Sequence, residues 1–328
     1  MTRDSRDLFE AFIGDGRPLI VFTALCLALA GGFALFQSAT GHFLPHDIAF
    51  LAMAPEQLCG INECRIVHFM IHDRVSFGGA LIAISVLYFW LSEFPLKEGK
   101  PWAWWTLVAS GVVGFGSFLT YLGYGYLDTW HGAATIVLLP CFASGLVISR
   151  PPSASTRNEH ATGIARLRPN REWPAHRATT FGRLSLLMAA LGMIGAGLTI
   201  QTIGMTSVFV PTDLEFMGLS RAALDAINPR LIPLIAHDRA GFGGAVATAG
   251  LLTFASVWFG SPSRALWQSL VIGGLAGWST AIFVHPAIGY TDAWHLAPAV
   301  GGAALFMLGV ILTRTAMRNQ TTRRTESA

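Results

Sequence analysis

The sequence predicts an all-α integral membrane protein with eight transmembrane helices, arranged as two tandem four-helix bundles of the same orientation. The first observation is composition, because 52% of the residues are hydrophobic, 12% are charged and the mean hydropathy is +0.51. Such values exclude an ordinary soluble globular domain. The second observation is a set of long apolar runs, and the third is an internal repeat that divides the chain into halves.

The apolar runs have the length of about twenty residues that a helix needs to cross a bilayer. They cover 18–38, 66–92, 102–123, 128–148, 183–205, 232–259, 266–286 and 291–313. The first run follows a leader of mixed charge and is long enough to stay in the membrane. We therefore expect an uncleaved anchor at this end of the chain and not a signal peptide.

The distribution of positive charge predicts the topology. Arginine and lysine concentrate in the leader, in the 93–101 loop, in a central segment 149–182 rich in Pro, Ser and Thr, and in the tail 315–328. Because positively charged short loops stay in the cytoplasm, both termini are expected on the cytoplasmic side of the plasma (inner) membrane. The plan is a first half 1–148, a cytoplasmic linker 149–182, a second half 183–314 and a cytoplasmic tail. No basic face with interleaved aromatic residues suggests nucleic acid.

Three sequence blocks occur twice, in the same order. The pairs are 43–47 (FLPHD) with 209–213 (FVPTD), His72-Asp73-Arg74 with His237-Asp238-Arg239, and 125–131 (GYLDTWH) with 289–295 (GYTDAWH). Their offsets of 166, 165 and 164 residues are nearly constant, which is the signature of a duplication. Each half holds an even number of helices, so the halves enter the membrane alike and are related by an axis along the membrane normal. Residues that correspond in this repeat are called counterparts below.

The repeated histidines predict one haem site per half near the outer face. His72 and His131 lie near the outer ends of the second and fourth helices, and His237 and His295 are their counterparts. Facing helices of a bundle commonly hold cofactors between them, and two neutral imidazoles can ligate a haem iron from both sides. We expect His72 to pair with His131, and His237 with His295, around up to two haem b groups. The haem would be non-covalent, because the chain has no Cys-x-x-Cys-His motif.

Neighbouring residues fit this interpretation. Arg74 and Arg239 are placed to pair with the carboxylates of haem propionates. Two Gly-Gly pairs, 78–79 and 243–244, remove side chains where a flat ring or a close helix needs room.

A structural interpretation of the same motif stays open. A histidine in a membrane helix can simply hydrogen-bond to a neighbouring helix, and Asp73 with Arg74, or Asp238 with Arg239, can form ion pairs that fix packing.

Further residues of the same spans are less symmetrical. His68 lies one helical turn before His72 on the same face, and its counterpart is Pro233. His285, near the outer end of the seventh helix, has Tyr121 as its counterpart. We interpret each histidine as a further ligand, a proton relay or an interfacial polar residue.

Two residue types flank the fourth-helix histidines in both halves. Asp128 and Asp292 either cap a helix N-terminus or orient the ligands. Trp130 and Trp294 either pack on a ring or belong to the aromatic belt at the membrane surface.

The cysteines add a separate prediction. Cys59 and Cys64 are close together in the first outer loop, on the oxidising side of the membrane, where disulfides persist. We expect a disulfide between them, with a structural or a redox role.

Eight helices in two halves, a histidine on the second and fourth helix of each half, and a cysteine pair in the first outer loop resemble the heme A synthase family. The resemblance covers nearly the whole chain in architecture and rests on short motifs. It implies a substrate site for haem O at His72 and His131, and a bound haem b at His237 and His295. The family has a glutamate where Phe69 and Leu234 stand here.

The leading functional hypothesis is a membrane-embedded b-type haem protein that carries out oxidation or electron transfer, with a quinone or respiratory-chain partner in the bilayer. Two alternatives come from other classes. One is a transporter in which the repeated His-Asp-Arg sets form a proton or anion path between the halves. The other is a non-haem site in which His68, His72 and His131 bind copper or zinc.

Overall fold

The computed structural model describes residues 12–119, 126, 129–151 and 168–318, without the side chains of residues 118, 119 and 130. The described residues form helices, turns and loops and contain no strand. In chain order the helices are α1 (Arg17–Thr40), α2 (Pro45–Leu51), α3 (Pro55–Ile61), α4 (Arg65–Leu91), α5 (Pro101–Leu119), α6 (Thr129–Ala133), α7 (Leu139–Ile148), α8 (Arg177–Met205), α9 (Pro211–Met217), α10 (Arg221–Ile227), α11 (Leu231–Phe259), α12 (Arg264–Ile288) and α13 (Ala293–Arg318). The predicted all-α class is confirmed.

Within the described ranges, seven helical segments are long and apolar enough to cross a membrane, which fits a multi-pass membrane protein. They are α1, α4 with a π-helical extension (Ser92–Leu96), the segment His131–Ile148, α8, α11, α12 and α13. In the segment His131–Ile148 a π-helical turn (Ala134–Leu138) joins α6 to α7. The remaining expected span, 102–123, corresponds to α5, a helix of 19 residues. Its predicted continuation beyond Leu119 lies outside the described residues.

The second half begins earlier than the sequence suggests. We expected a linker over 149–182, but α8 already starts at Arg177. The residues just before it pack on the end of α11. The Arg183 guanidinium donates to the carbonyl oxygens of Trp258 at 2.8 Å and Asn170 at 2.9 Å, and the Trp173 indole donates to Gly260 O at 2.9 Å. Residues 152–167 of the expected linker lie outside the described part of the chain.

The two long loops that follow the first helix of each half contain short helices. α2 and α3 in the first half correspond to α9 and α10 in the second. Proline begins α2, α3 and α9, where its missing N–H costs nothing. Asp47 and Asp213, in the first turns of α2 and α9, accept hydrogen bonds from the backbone N–H groups of Leu44 and Val210, which caps those N-termini. The carboxylates are thereby fixed at the end of the molecule that carries the histidines, called the histidine end below.

The helices α4 and α11, which carry the His-Asp-Arg motifs, occupy the centre of the molecule. Each packs against helices of both halves: α4 lies against α1 and α12, and α11 lies against α8 and α5. The described helices therefore interleave, and a division into two separate four-helix bundles is not confirmed in that form. Burial on all sides explains why neither central helix has a polar stripe below its motif.

The Gly-Gly pairs make this close packing possible. A Cβ on Gly78 would lie 2.9 Å from the carbonyl oxygen of Gly31 in α1, and one on Gly79 would lie 1.8 Å from Thr280 Oγ1 in α12. Gly244 approaches Ser117 of α5 in the same way, at 2.2 Å from its Cβ. Each glycine therefore admits a neighbouring helix, which is the second of the two uses expected for these pairs.

Candidate histidine centre

Three histidines, one from the first half and two from the second, meet at the histidine end. His72 on α4 and His285 near the end of α12 face each other with 3.0 Å between their Nε2 atoms. His295, in the first turn of α13, completes a group whose ligand-capable nitrogens all lie within 4.8 Å of one another. His72 and His285 are buried and His295 is half-buried. We call these three residues the His72 cluster.

A second contact, on the other side of the central helices, joins the counterparts of His72 and His295. His237 Nε2 on α11 lies 2.9 Å from His131 Nδ1 on α6. The expected pairs were His72 with His131 and His237 with His295, within each half. The structure instead pairs histidines across the halves, because α4 packs beside α12 of the other half, and α11 beside α5. We call His131 and His237 the His237 pair.

The aspartate of each motif holds the ring of its neighbouring histidine. His72 Nδ1 lies 2.9 Å from Asp73 Oδ1, and His237 Nδ1 lies 3.1 Å from Asp238 Oδ1. A carboxylate can only accept, so Nδ1 carries the proton and Nε2 is left with a lone pair. Such carboxylate–histidine pairs are the usual outer support of metal-binding imidazoles.

The arginine of each motif pairs with the other half. Arg239 Nε lies 3.3 Å from Asp73 Oδ2, and Arg74 Nε lies 2.7 Å from Asp238 Oδ2. We expected Asp73 with Arg74 and Asp238 with Arg239 as the ion pairs of the structural interpretation, but the pairs are exchanged. Neighbouring residues on a helix point in different directions, so each carboxylate meets the arginine of the facing helix.

Each arginine also contacts a second carboxylate, from the short helices. Arg74 Nη1 lies 2.8 Å from Asp47 Oδ2, and Arg239 Nη1 bonds to Asp213 Oδ2. The expected role of these arginines was to bind haem propionates. In the structure both guanidinium groups are already held between two aspartates, Asp47 and Asp238 for Arg74, and Asp73 and Asp213 for Arg239.

A tyrosine extends each network. Tyr290, in the turn between α12 and α13, has its hydroxyl 2.9 Å from Asp213 Oδ1 and 3.0 Å from His295 Nδ1. Burial raises the pKa of the Tyr290 phenol, and the nearby Asp213 carboxylate raises it further. The phenol therefore stays protonated at neutral pH and donates to Asp213, while its oxygen accepts from His295. Tyr126, the counterpart, donates to Asp47 at 2.5 Å.

Several predicted residues lie beside the centre. His68 is partly exposed and does not belong to the three-histidine group. Asp292 caps α13 by accepting from the His295 backbone N–H at 2.7 Å, which is the capping role of the two we considered. Trp294 is 86% exposed, which favours the aromatic belt over packing on a ring. Asp128 and the side chain of Trp130 lie outside the described residues.

The predicted disulfide is present. The disulfide joins Cys59 of α3 to Cys64, the residue directly before α4. The segment between them is tied to the second half, because the Asn62 amide donates to the carbonyl oxygen of Met217 at the end of α9. The disulfide therefore fixes the chain just before the helix that carries His72.

Sequence reasoning missed the partners Asp47 and Asp213. It gave His285 a ligand role only as one of three alternatives and did not predict its contact with His72. The signal for the aspartates was available, because both stand in the repeated block FxPxD. The two tyrosines likewise stand in the repeated GYxDxWH block. His285 has no histidine counterpart, so the repeat carries no signal for it.

The side chains do not fit a haem ligated by two of these histidines. Axial ligands lie on opposite sides of the iron, about 4 Å apart when each bond is about 2 Å. The facing nitrogens are 3.0 Å apart in the His72 cluster and 2.9 Å apart in the His237 pair. The Gly-Gly pairs that could have admitted a ring admit helices instead. A cavity of about 30 Å³ lined by residues of α1, α4, α5 and α11 has no histidine in its lining.

Comparison with known proteins finds no counterpart for this chain: no protein-family model, no curated protein and no solved structure matches it.

Proposed function

We propose that this protein is a membrane-embedded oxidoreductase or electron-transfer protein whose metal centre lies at the outer face, between the two halves. The observation that carries the proposal is the His72 cluster, in which three imidazoles converge at one end of long apolar helices. Ionisable groups inside membrane helices are expensive and usually functional. Imidazole suits copper and iron, which exchange electrons, as well as zinc.

The proposal includes a topology. α5 is taken as the eighth span, so each half contributes four helices, and both termini lie in the cytoplasm of the plasma (inner) membrane. The support is the arginine-rich composition of the leader, the central segment and the tail. The histidine end then faces outward, where a quinone or a respiratory-chain protein is the electron partner we propose.

The resemblance to the heme A synthase family concerns the architecture and not the chemistry. Because haem does not fit between the imidazoles, no step is assigned to it. We expect that the purified protein does not convert haem O to haem A, as judged by extracting the pigment and separating the haems chromatographically.

A transporter is less well supported by the central helices. Below Arg74 and Arg239, residues 75–91 of α4 and 240–259 of α11 contain no charged residue and no histidine. A proton or anion path along these helices would therefore end one turn below the histidines.

The test is spectroscopic and redox-based. The full-length protein is purified in mild detergent, its metals and haem are quantified, and absorption and EPR spectra are recorded over a potentiometric titration. We expect about one redox-active metal ion per chain with a reversible midpoint potential. A protein whose metal remains silent across the accessible range of potentials would refute the oxidoreductase proposal.

A further inference from the structure

We propose that His72, His285 and His295 bind one transition-metal ion directly through their Nε2 atoms, as a mononuclear non-haem site with an open coordination position. The inference rests on the proposed function in placing a metal centre at the histidine end, and it specifies the ligands and the kind of site. The site differs from the copper or zinc site expected from the sequence, which used His68, His72 and His131.

Hydrogen bonding selects the ligating nitrogens. His72 gives its Nδ1 proton to Asp73, and His295 gives its Nδ1 proton to the Tyr290 oxygen. Neutral imidazole has one N–H and one lone pair, so Nε2 is the metal-binding atom of both residues. His285 Nε2 lies 3.0 Å from His72 Nε2, so in the metal-free protein His285 donates its Nε2 proton to His72. When the ion binds, His285 carries its proton on Nδ1 and its Nε2 becomes the third ligand.

The spacing matches ligands on adjacent corners of one ion. Two nitrogens that each lie about 2.1 Å from a metal and are 3.0 Å apart subtend an angle of about 90° at it. Small side-chain adjustments reach the tetrahedral angle, whereas a haem needs its axial ligands at about 180°. The same distance that excludes haem therefore favours a single ion.

The backbone around the cluster makes the convergence possible. His285 and His295 stand on either side of the turn between α12 and α13, and that turn is made by Gly289 with φ +79°. Glycine adopts this conformation without strain, which lets the chain reverse and bring the two imidazoles to the same place. Three protein ligands leave a fourth position for water or substrate, as in catalytic sites.

One arginine holds the outer supports of two ligands. Arg239 pairs with Asp73, which orients His72, and with Asp213, which accepts from Tyr290 and so orients His295. Removing a residue that hydrogen-bonds to a metal ligand typically lowers metal affinity about 10–100-fold. We therefore assign Asp73 and Tyr290 as positioning residues of this site.

The repeat supplies matched controls. Asp238 and Tyr126 are the counterparts of Asp73 and Tyr290 and belong to the side of the His237 pair. Both tyrosines are buried, and the side chains of Asp73 and Asp238 are 1% and 8% exposed. A substitution there disturbs an equivalent network without touching the three proposed ligands. His68, on the same helix as His72 but outside the cluster, controls for adventitious binding by exposed imidazole.

The experiment uses full-length protein in detergent, stripped with a chelator and titrated with Co(II), whose visible bands report coordination, and with Cu(II) for EPR. We expect one ion per chain. H285A should lower the affinity at least tenfold, whereas H68A and H131A should leave it within twofold. D73N and Y290F should weaken binding about 10–100-fold and change the Co(II) bands, and D238N and Y126F should do neither. Size-exclusion profiles identify any variant that fails to fold.

The outcomes separate this inference from the proposed function. One bound zinc ion that is lost in H285A, with no redox activity, supports the site and overturns the oxidoreductase. A haem spectrum with no Co(II) or Cu(II) binding overturns the site and supports redox chemistry. Equal losses in H285A, H68A and H131A overturn the site, because they indicate scattered binding by surface histidines.

Discussion

Replacing Arg239 should lower the free energy of unfolding far more than replacing either carboxylate that it contacts. Arg239 is 4% exposed, and Asp73 and Asp213 are 1% and 0% exposed. Removing one partner of a buried ion pair costs about 3–5 kcal/mol, because the other charge stays buried without compensation. The variant R239Q leaves two buried carboxylates without their positive partner. We therefore expect the free energy of unfolding to fall by about 5 kcal/mol, the upper end of that range.

The D73N variant should be milder. It removes one of the two negative charges and leaves Arg239 paired with Asp213, while the Asn oxygen still accepts from His72. The cost is about that of a hydrogen bond to a charged group, roughly 1.5–3 kcal/mol. In the double variant R239Q/D73N only Asp213 is left without a positive partner. The loss of stability in the double variant should therefore be smaller than the sum of the two single losses by at least about 1 kcal/mol.

These free energies are measured by reversible unfolding in mixed micelles of mild detergent and SDS, followed by tryptophan fluorescence. R74Q and D238N form the matched pair on the other side of the molecule and should repeat the pattern. If D73N were as damaging as R239Q, or if the losses in the double variant were simply additive, Arg239 would not be balanced by its two carboxylates in this way.

Three further predictions concern packing and assembly. G244A should destabilise the protein by about 1–3 kcal/mol through overpacking, since its Cβ would meet Ser117, while G192A, with nothing within 4 Å, should cost nothing in the same unfolding assay. C59S should lower stability by about 2 kcal/mol or less, because the disulfide spans only five residues; a larger loss in thermal unfolding would contradict this. Fragments 1–151 and 168–328, expressed together, should copurify, and each alone should aggregate in size-exclusion chromatography.

The sequence was sufficient to single out the repeated histidines, but not to predict which of them are neighbours. Hydropathy and the repeat predict the helices, and the position of a histidine along its span predicts its height. The height of a histidine in the membrane does not determine which helix packs beside its own. The neighbours of α4 and α11 are set by close contacts at Gly79 and Gly244 with helices of the other half, and no pattern within one helix encodes that choice.

Other features lacked a local signal. The helices α2, α3, α9 and α10 are seven residues long, about two turns, which is too short for a periodic pattern. Asp47 and Asp213 therefore looked like loop residues, although the repeat contained both. His285 became part of the cluster only through the turn at Gly289.

The exchange of partners between the motifs makes the contact self-complementary. A half that carries His-Asp-Arg offers an aspartate and an arginine to the facing half and receives the same pair in return. This is the arrangement of the interface in a symmetric homodimer, here formed within one chain. The symmetry is broken at His285, which has no histidine counterpart in the repeat and makes the His72 cluster different from the His237 pair.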